Sequence, residues 1–230
     1  MDNRYYFTEK TDDMVIITNQ EAQHLSRVRR AQVGDEIVAF NGDGYDYNLK
    51  IVEILKDKVK AEILSKQENK ATKDTNITVY LSMIKNDALT TAIDNLAELN
   101  VKTVKLFKSD YSVAQLDEKK LDKLNQIAIQ ASKQCERADI MQISIINKKD
   151  IEKECAGLTT FFAYENSNNN IQKFSGDFAV IVGPEGGFSE EENKQFSSFA
   201  NNISLSKTIL RAEVACVASV SMLKAVSNAR

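Results

Sequence analysis

The stretch from Phe178 to Glu192 limits the fold more than any other part of this 230-residue chain. An apolar run, Phe178 to Val182, stops at Gly183-Pro184-Glu185-Gly186-Gly187-Phe188, and Ser189 with Glu192 three residues on has the spacing of a helix capping box. Strand, glycine-rich loop and helix in that order place the loop at the carboxyl end of a sheet strand, where open α/β proteins bind ligands. The chain has 8 glycines and 1 proline, and three of those glycines with the sole proline fall within five positions here. Backbone conformation therefore matters in this loop. A plain turn is the competing reading, because Pro-x-Gly is ordinary turn chemistry. No Gly-x-Gly-x-x-Gly occurs and no Gly-Lys-Ser/Thr follows, so neither standard phosphate cradle is present.

The same alternation extends on both sides. From Ile77 the pattern predicts strands at 77–83, 102–107, 140–146, 159–164, 178–182 and 202–205. Helices are expected at 87–99, 117–135, 148–155, 189–200 and 211–227. Alternating strands and helices argue for an α/β domain with a mainly parallel, doubly covered sheet. Upstream the pattern differs. Met14 to Ile17 and Ile37 to Phe40 read as strands, Asn41-Gly42-Asp43-Gly44 as a hairpin, and Tyr45, Tyr47 and Leu49 alternate with polar residues. Ile51 to Leu55 and Val59 to Ile63 complete a small β-barrel. One helix interrupts it, with Thr18 and Glu21 at capping-box spacing. The polar run Lys66 to Asn76 marks the boundary, giving domains 1–70 and 71–230. Asn166 to Asn170 reads as a polar loop.

Net charge is −3, so attraction to nucleic acid has to come from a local patch. His24, Arg27, Arg29 and Arg30 form the best one, with Gln23, Arg27 and Arg30 on one helix face. A solvated helix face is an equally good reading of the same residues. Cys135, Cys155 and Cys216 are widely spaced, and His24 is the only histidine, so neither a disulfide framework nor a metal site is expected. No apolar run approaches the roughly 20 residues of a membrane span, the N-terminus lacks a signal-peptide core, and a cytoplasmic location follows.

A second loop, Leu205 to Leu210, follows the next strand and is expected beside the first. Arg211 and Glu213 open the final helix, where the macrodipole favours Glu213 and disfavours Arg211. A cation kept at the wrong helix end hints at function; a surface salt bridge is the plainer explanation. That helix is apolar nearly all round, which calls for burial either inside its own domain or against another subunit.

These residues resemble the RsmE family, which methylates N3 of a uridine in 16S ribosomal RNA with S-adenosylmethionine. Gly183 to Ser189 matches its Gly-Pro-Glu-Gly-Gly-Phe-Ser, and Ile209-Leu210-Arg211 with Glu213 and Ala215 is similar to its Ile-Leu-Arg-Thr-Glu-Thr-Ala. His24 to Arg30, Asn41 to Gly44, Lys85, Ser109 to Ser112, Gln134 and Arg137 match elsewhere. The resemblance implies a PUA-like RNA-binding barrel followed by a SPOUT α/β domain with a trefoil knot, and a homodimer. It implies a methyl-donor site formed by Val182, Gly183, Pro184, Glu185, Gly186, Gly187, Leu205, Ser206, Ile209, Leu210 and Ala215, with the amides of Gly186 and Gly187 as candidate donors. Arg211 and Glu213 would be catalytic, Arg211 stabilising charge on a uracil oxygen. His24, Arg27, Arg29, Arg30 and Lys85 would meet 16S rRNA, free or in the assembled small subunit. The family favours Gly where this chain has Asn100, Glu136 and Ser206, Glu at Lys133, Arg at Thr208, and Thr at Ala212 and Val214. A serine at 206 would narrow the donor loop if a left-handed conformation were needed. An RNA-binding assembly factor of the same fold without chemistry, or an unrelated nucleotide-binding α/β enzyme, are the alternatives.

Overall fold

The computed structural model describes residues 4–73, 75–114, 117–167 and 171–227. Residues 168–170 of the expected polar loop, and Asp74 of the expected boundary, lie outside that set. The chain divides into two compact units: Met1–Lys73 with Ser132–Ile140, and Asp74–Ala131 with Met141–Arg230.

The first unit contains β1 (Arg4–Tyr6), β2 (Glu9–Lys10), β3 (Met14–Thr18), α1 (Asn19–Gln23), β4 (Glu36–Phe40), β5 (Tyr45–Ile54) and β6 (Lys58–Glu68). Its strands form one curled sheet in the order β1-β4-β5-β6-β3-β2. Only the β1–β4 pair is parallel. The sheet is a half-barrel, since no pairing joins β1 to β2 among the described residues. Period-two alternation puts Tyr47, Leu49 and Ile51 of β5 and Val59 and Ala61 of β6 on the inner face, with Tyr5, Val15, Ile17 and Leu25. The expected hairpin joins β4 to β5, and Gly42 and Gly44 adopt φ of 92° and 86°, conformations glycine enters without cost. β6 runs on to Glu68, so the polar run starting at Lys66 begins as paired strand rather than as linker.

Two local expectations fail here, the first because a long-range partner wins and the second because the helix changes its winding. The capping box is not formed: Thr18 makes no side-chain cap, and the Glu21 carboxylate that would complete the box is instead engaged by Lys133 Nζ (2.8 Å to each oxygen) and by the Tyr6 amide (3.3 Å). The helix also widens into a π-helical turn over His24–Val28, and Arg30 follows at φ 54°. Gln23, Arg27 and Arg30 therefore do not share an α-helical face.

Residues 132–140 pack within this first unit. Arg137 is buried and holds Asp139 through two bonds of 2.9 and 2.8 Å. Arg4 donates to the carbonyls of Glu136 (2.6 Å) and Arg137 (3.0 Å). Glu136 stands at φ 61° and Asn100 at φ 62°, two of the positions where the family favours glycine. Asparagine tolerates this region, whereas glutamate there costs roughly 1 kcal/mol.

The second unit alternates as expected: β7 (Ile77–Ser82), α2 (Asn86–Glu98), β8 (Thr103–Phe107), α3 (Glu118–Gln134, its last turn grouped with the first unit), β9 (Gln142–Ile145), α4 (Ile151–Glu154), β10 (Thr159–Ala163), β11 (Phe178–Val182), α5 (Glu190–Phe199), β12 (Asn201–Ile203) and α6 (Ala212–Val226). The sheet order is β12-β10-β11-β7-β8-β9, and every pair is parallel. β11 lies inside the sheet and all five of its residues are buried, which explains its unbroken apolar run. Helix α6 buries Ala212, Cys216, Ser219, Val220 and Leu223 on one face, in contact with α2, β11 and β7. Its opposite side is not covered: Val214 is 45% exposed. The helix is thus not central to its own domain. No helix among the described residues is long and apolar enough to cross a membrane.

Candidate functional site

Because the sheet is all parallel, the carboxyl ends of its strands share one edge. At that edge the chain leaves β10, β11 and β12 through three loops that enclose a cavity of about 280 Å³. β11 and its loop contribute Val182, Gly183, Pro184, Glu185, Gly186, Gly187 and Phe188. The loop after β12 contributes Leu205, Ser206, Thr208, Ile209 and Leu210, and α6 adds Ala212 and Ala215. Ala163, Tyr164 and Glu165 close the third side. Every residue expected in a ligand site on these loops is therefore brought together. Ala163, Tyr164 and Glu165 were not expected; the signal that could have found them is that β10 ends at the same edge as β11.

The glycine loop is held in shape from several directions. Gly183 faces the ring of Phe188: a Cβ at Gly183 would lie 2.9 Å from that ring, closer than real contacts allow. Phe188 in turn sits among Phe107, Phe162 and Phe196, with ring centroids 6.2, 5.4 and 5.1 Å away. Such pairs contribute roughly 0.5–1.5 kcal/mol each beyond the area they bury, enough to anchor a loop residue. Gly187, at φ 71°, closes a turn by donating its amide to the Pro184 carbonyl at 3.0 Å. That amide is committed, so of the two glycine amides expected to bind a ligand only that of Gly186 remains a candidate. Glu185 accepts from the backbone amide of Lys85 at 3.1 Å, tying the loop to the start of α2.

The end of the loop is fixed by ions. The expected capping box is formed: Ser189 Oγ accepts from the Glu192 amide (3.3 Å), and Glu192 Oε2 accepts from the Ser189 amide (3.0 Å). Glu192 is buried, and its other oxygen accepts from the Asp110 amide (3.0 Å) and Lys148 Nζ (2.6 Å). Ser189 Oγ donates to Asp110 (2.6 Å), which also binds Lys148 (2.6 Å). The hydrogen bond from Lys148, then that from Ser189, holds the Asp110 carboxyl below the usual carboxylate range. Partial burial opposes the charge on Lys148, but the bonds to Asp110 and Glu192 outweigh it and its pKa rises.

The second wall is bonded mainly to itself. Ser206 Oγ pairs with Thr208 Oγ1 (2.9 Å) and accepts from the Thr208 amide (3.1 Å), while Ile209 is 94% exposed. Ser206 is not among the residues at positive φ, so the left-handed strain expected of a serine at this position does not arise. Two departures from the family, Ser206 and Thr208, accommodate one another.

Arg211 and Glu213 are not part of the cavity wall. Arg211 is the exposed N-cap residue of α6, between the lining residues Leu210 and Ala212, and has no ion pair among the described residues. The plain salt-bridge explanation is therefore not met. Glu213 lies in the first turn of α6 and is partly buried. Burial, with Glu213 nearby, pushes the Cys216 thiol far up, which removes it as a nucleophile.

The residues expected to meet RNA divide between the units. Arg27, Arg29 and Arg30 are exposed on the first unit beside Val28, itself 68% exposed. His24 instead lies beside Tyr5, ring centroids 6.0 Å apart, with Nδ1 buried and unbonded. Lys85 belongs to the second unit and is exposed.

Comparison with known proteins finds two matching domains, with residues 132–140, grouped with the first structural unit, inside the second of them. Residues 71–224 match the model of an RNA methyltransferase domain, and residues 17–64 that of an RNA methyltransferase PUA domain. The chain is 26% identical over 234 residues to ribosomal RNA small subunit methyltransferase E of Rickettsia conorii, covering 96% of this chain and 95% of that protein. It is 27% identical over 243 residues to the Bacillus subtilis protein of the same name, covering 91% of each. The crystal structure of ribosomal RNA small subunit methyltransferase E from Neisseria gonorrhoeae, bound to S-adenosyl methionine, superposes with a TM-score of 0.87. It is 24% identical and covers 99% of this chain and 98% of that one, a likeness of fold.

Proposed function

The chain belongs to the RNA methyltransferase family, and from that membership we propose that it transfers the methyl group of S-adenosylmethionine to N3 of a uridine in 16S ribosomal RNA. The observation that carries this reading is the convergence of the loops after β10, β11 and β12 and the start of α6 on one cavity of about 280 Å³. That volume is close to the lower end of small-molecule sites. Its walls suit a nucleoside sulfonium: Val182, Leu205, Leu210 and Ala215 are apolar, Gly186 lines the wall and we assign its amide to a polar group of the ligand, and no phosphate cradle is needed.

Bound here, S-adenosylmethionine supplies an electrophilic methyl group on sulfur. The reaction forms an N3–CH3 bond, breaks the S–CH3 bond and releases the N3 proton. The loops have to hold N3 roughly 3 Å from the methyl carbon and in line with the sulfur. Arg211, exposed beside the cavity wall and without an ion pair among the described residues, is assigned to stabilise the charge that N3 deprotonation spreads onto a uracil oxygen. Glu213 is the only other charged residue in the first turn of α6, and we assign it to the same active site. Arg211→Ala is expected to slow transfer by roughly 10²–10³-fold with donor affinity changed less than twofold. Equal losses in both would remove this assignment.

In this reading residues 1–70 bind RNA through Arg27, Arg29, Arg30 and His24, residues 71–230 carry out transfer with Lys85 beside the glycine loop, and the protein works in the cytoplasm on free 16S rRNA or the small subunit. The uncovered apolar side of α6, with Val214, supports a homodimer, and family resemblance implies the trefoil knot. Calorimetric titration with S-adenosylhomocysteine tests the cavity; about one site per chain is expected. Appearance of 3-methyluridine in 16S rRNA on incubation with the protein and donor then tests the reaction.

A further inference from the structure

Among the described residues Tyr111 is the only exposed aromatic side chain, with 54% of its surface open to solvent. It stands on a short turn after β8 that is built with unusual care. Ser112 donates its amide to the Ser109 carbonyl (3.1 Å), and Ser109, Ser112 and the buried Ser82 form a closed triangle of hydroxyls at 2.6, 2.8 and 2.9 Å. On the other side of the same turn, Asp110 is fixed by Glu192, Lys148 and Ser189. Tyr111 is thus exposed while its neighbours on both sides are immobilised. The turn also meets the cavity wall: a Cβ on Gly186 would come within 3.3 Å of Tyr111 Cβ. Gly186 lines the cavity, so the aromatic side chain springs from directly beside the glycine loop.

A base that is to be methylated at a ring nitrogen must leave its stack, and proteins hold splayed bases against aromatic faces. We propose that Tyr111 is the stacking platform for the RNA base that receives the methyl group, an inference that rests on the methyltransferase reading above. Stacking is indifferent to base identity, so Tyr111 positions the base without selecting uridine.

The chain contains no tryptophan, so Tyr111→Trp installs a single fluorescent reporter. A short single-stranded RNA with one uridine is expected to quench that tryptophan saturably, and the same RNA made abasic at that position is expected not to. Tyr111→Ala should raise the KM for RNA by roughly 5- to 150-fold while the affinity for S-adenosylhomocysteine stays within twofold, and Tyr111→Phe should restore the KM. Absence of quenching, an unchanged KM in Tyr111→Ala, or a loss of donor affinity equal to the loss in KM would overturn the proposal. Methyl transfer by the unaltered chain is measured alongside. Transfer without quenching defeats the platform alone, whereas quenching without transfer defeats the methyltransferase reading and leaves Tyr111 a base-stacking residue.

Discussion

The two loops that face each other across the cavity are built in opposite ways. Gly183–Phe188 is tied to α2 through Glu185, to three phenylalanine rings of the core through Phe188, and to the Asp110–Lys148–Glu192 network through Ser189. The loop after β12 is bonded chiefly to itself, through Ser206 and Thr208, and leaves Ile209 almost fully in solvent. One wall is therefore fixed before any ligand arrives, and the other is free to adjust to it. A site of this kind limits its ordering cost to one side while keeping a defined geometry on the other. Two of the departures from the family, at 206 and 208, fall on the wall that is bonded to itself.

The largest effect should come from the fixed wall. Glu192 is buried and holds Ser189, Asp110 and Lys148 at once. Glu192→Ala should cost about 3 kcal/mol of stability, the lower end for breaking a buried ion pair because Lys148 keeps Asp110. Urea denaturation would show it as a lowered midpoint at unchanged slope. Gly183→Ala comes next. The new methyl group would meet the Phe188 ring at 2.9 Å, and overpacking of that kind costs about 1–3 kcal/mol. Affinity for S-adenosylhomocysteine, read by calorimetry, should fall with it by more than tenfold, since a shift of either residue moves the wall.

A smaller effect is expected from pH. Asp110 is depressed in the folded chain, so its contribution to stability is present above the ordinary carboxylate pKa and lost as pH falls through its lower folded value. Lys148 is raised, so its contribution is present below the ordinary lysine pKa and lost as pH rises through its higher folded value. The difference in Tm between the unaltered chain and Lys148→Met should be widest on the plateau between and should narrow at both ends. A pH-independent difference would mean that the network acts by packing alone. The smallest effect belongs to the adaptable wall: Ser206→Gly should change donor affinity by less than threefold, because Ser206 does not occupy a left-handed conformation. A loss as large as that in Gly183→Ala would abolish the distinction between the two walls.

Much of this site was legible before the structure. The run Phe178–Val182 coincides with β11, the Ser189–Glu192 spacing forms its capping box, and the glycine loop lines the cavity with Leu205, Ser206, Ile209, Leu210 and Ala215. Those features are local, or follow from the rule that parallel strands end at one edge. Glu21 was misread as a helix cap because its partner, Lys133, is 112 residues away. The shared face of Arg27 and Arg30 failed because a π-helical turn at His24–Val28 has no signature in apolar periodicity. The clasp of residues 132–140 on the first unit was invisible for the same reason: Arg4 reaches carbonyls 132 and 133 positions away.

By itself the amino-acid sequence determined the alternation of strands and helices from Ile77 onward, the change from a β-rich region to a parallel α/β unit, and the glycine-rich loop that lines the cavity, but not the short strands Arg4–Tyr6 and Glu9–Lys10. Hydrophobic periodicity, glycine and capping residues act over a few positions and need no distant partner to be read. Only the tertiary structure decided that the Gly187 amide is committed to the Pro184 carbonyl, that Arg211 stands without an ion pair among the described residues, that Lys148 bridges two carboxylates behind the loop, and that Tyr111 rises beside Gly186. Each of these is a meeting of side chains or backbone groups whose distance is set by packing rather than by spacing along the chain.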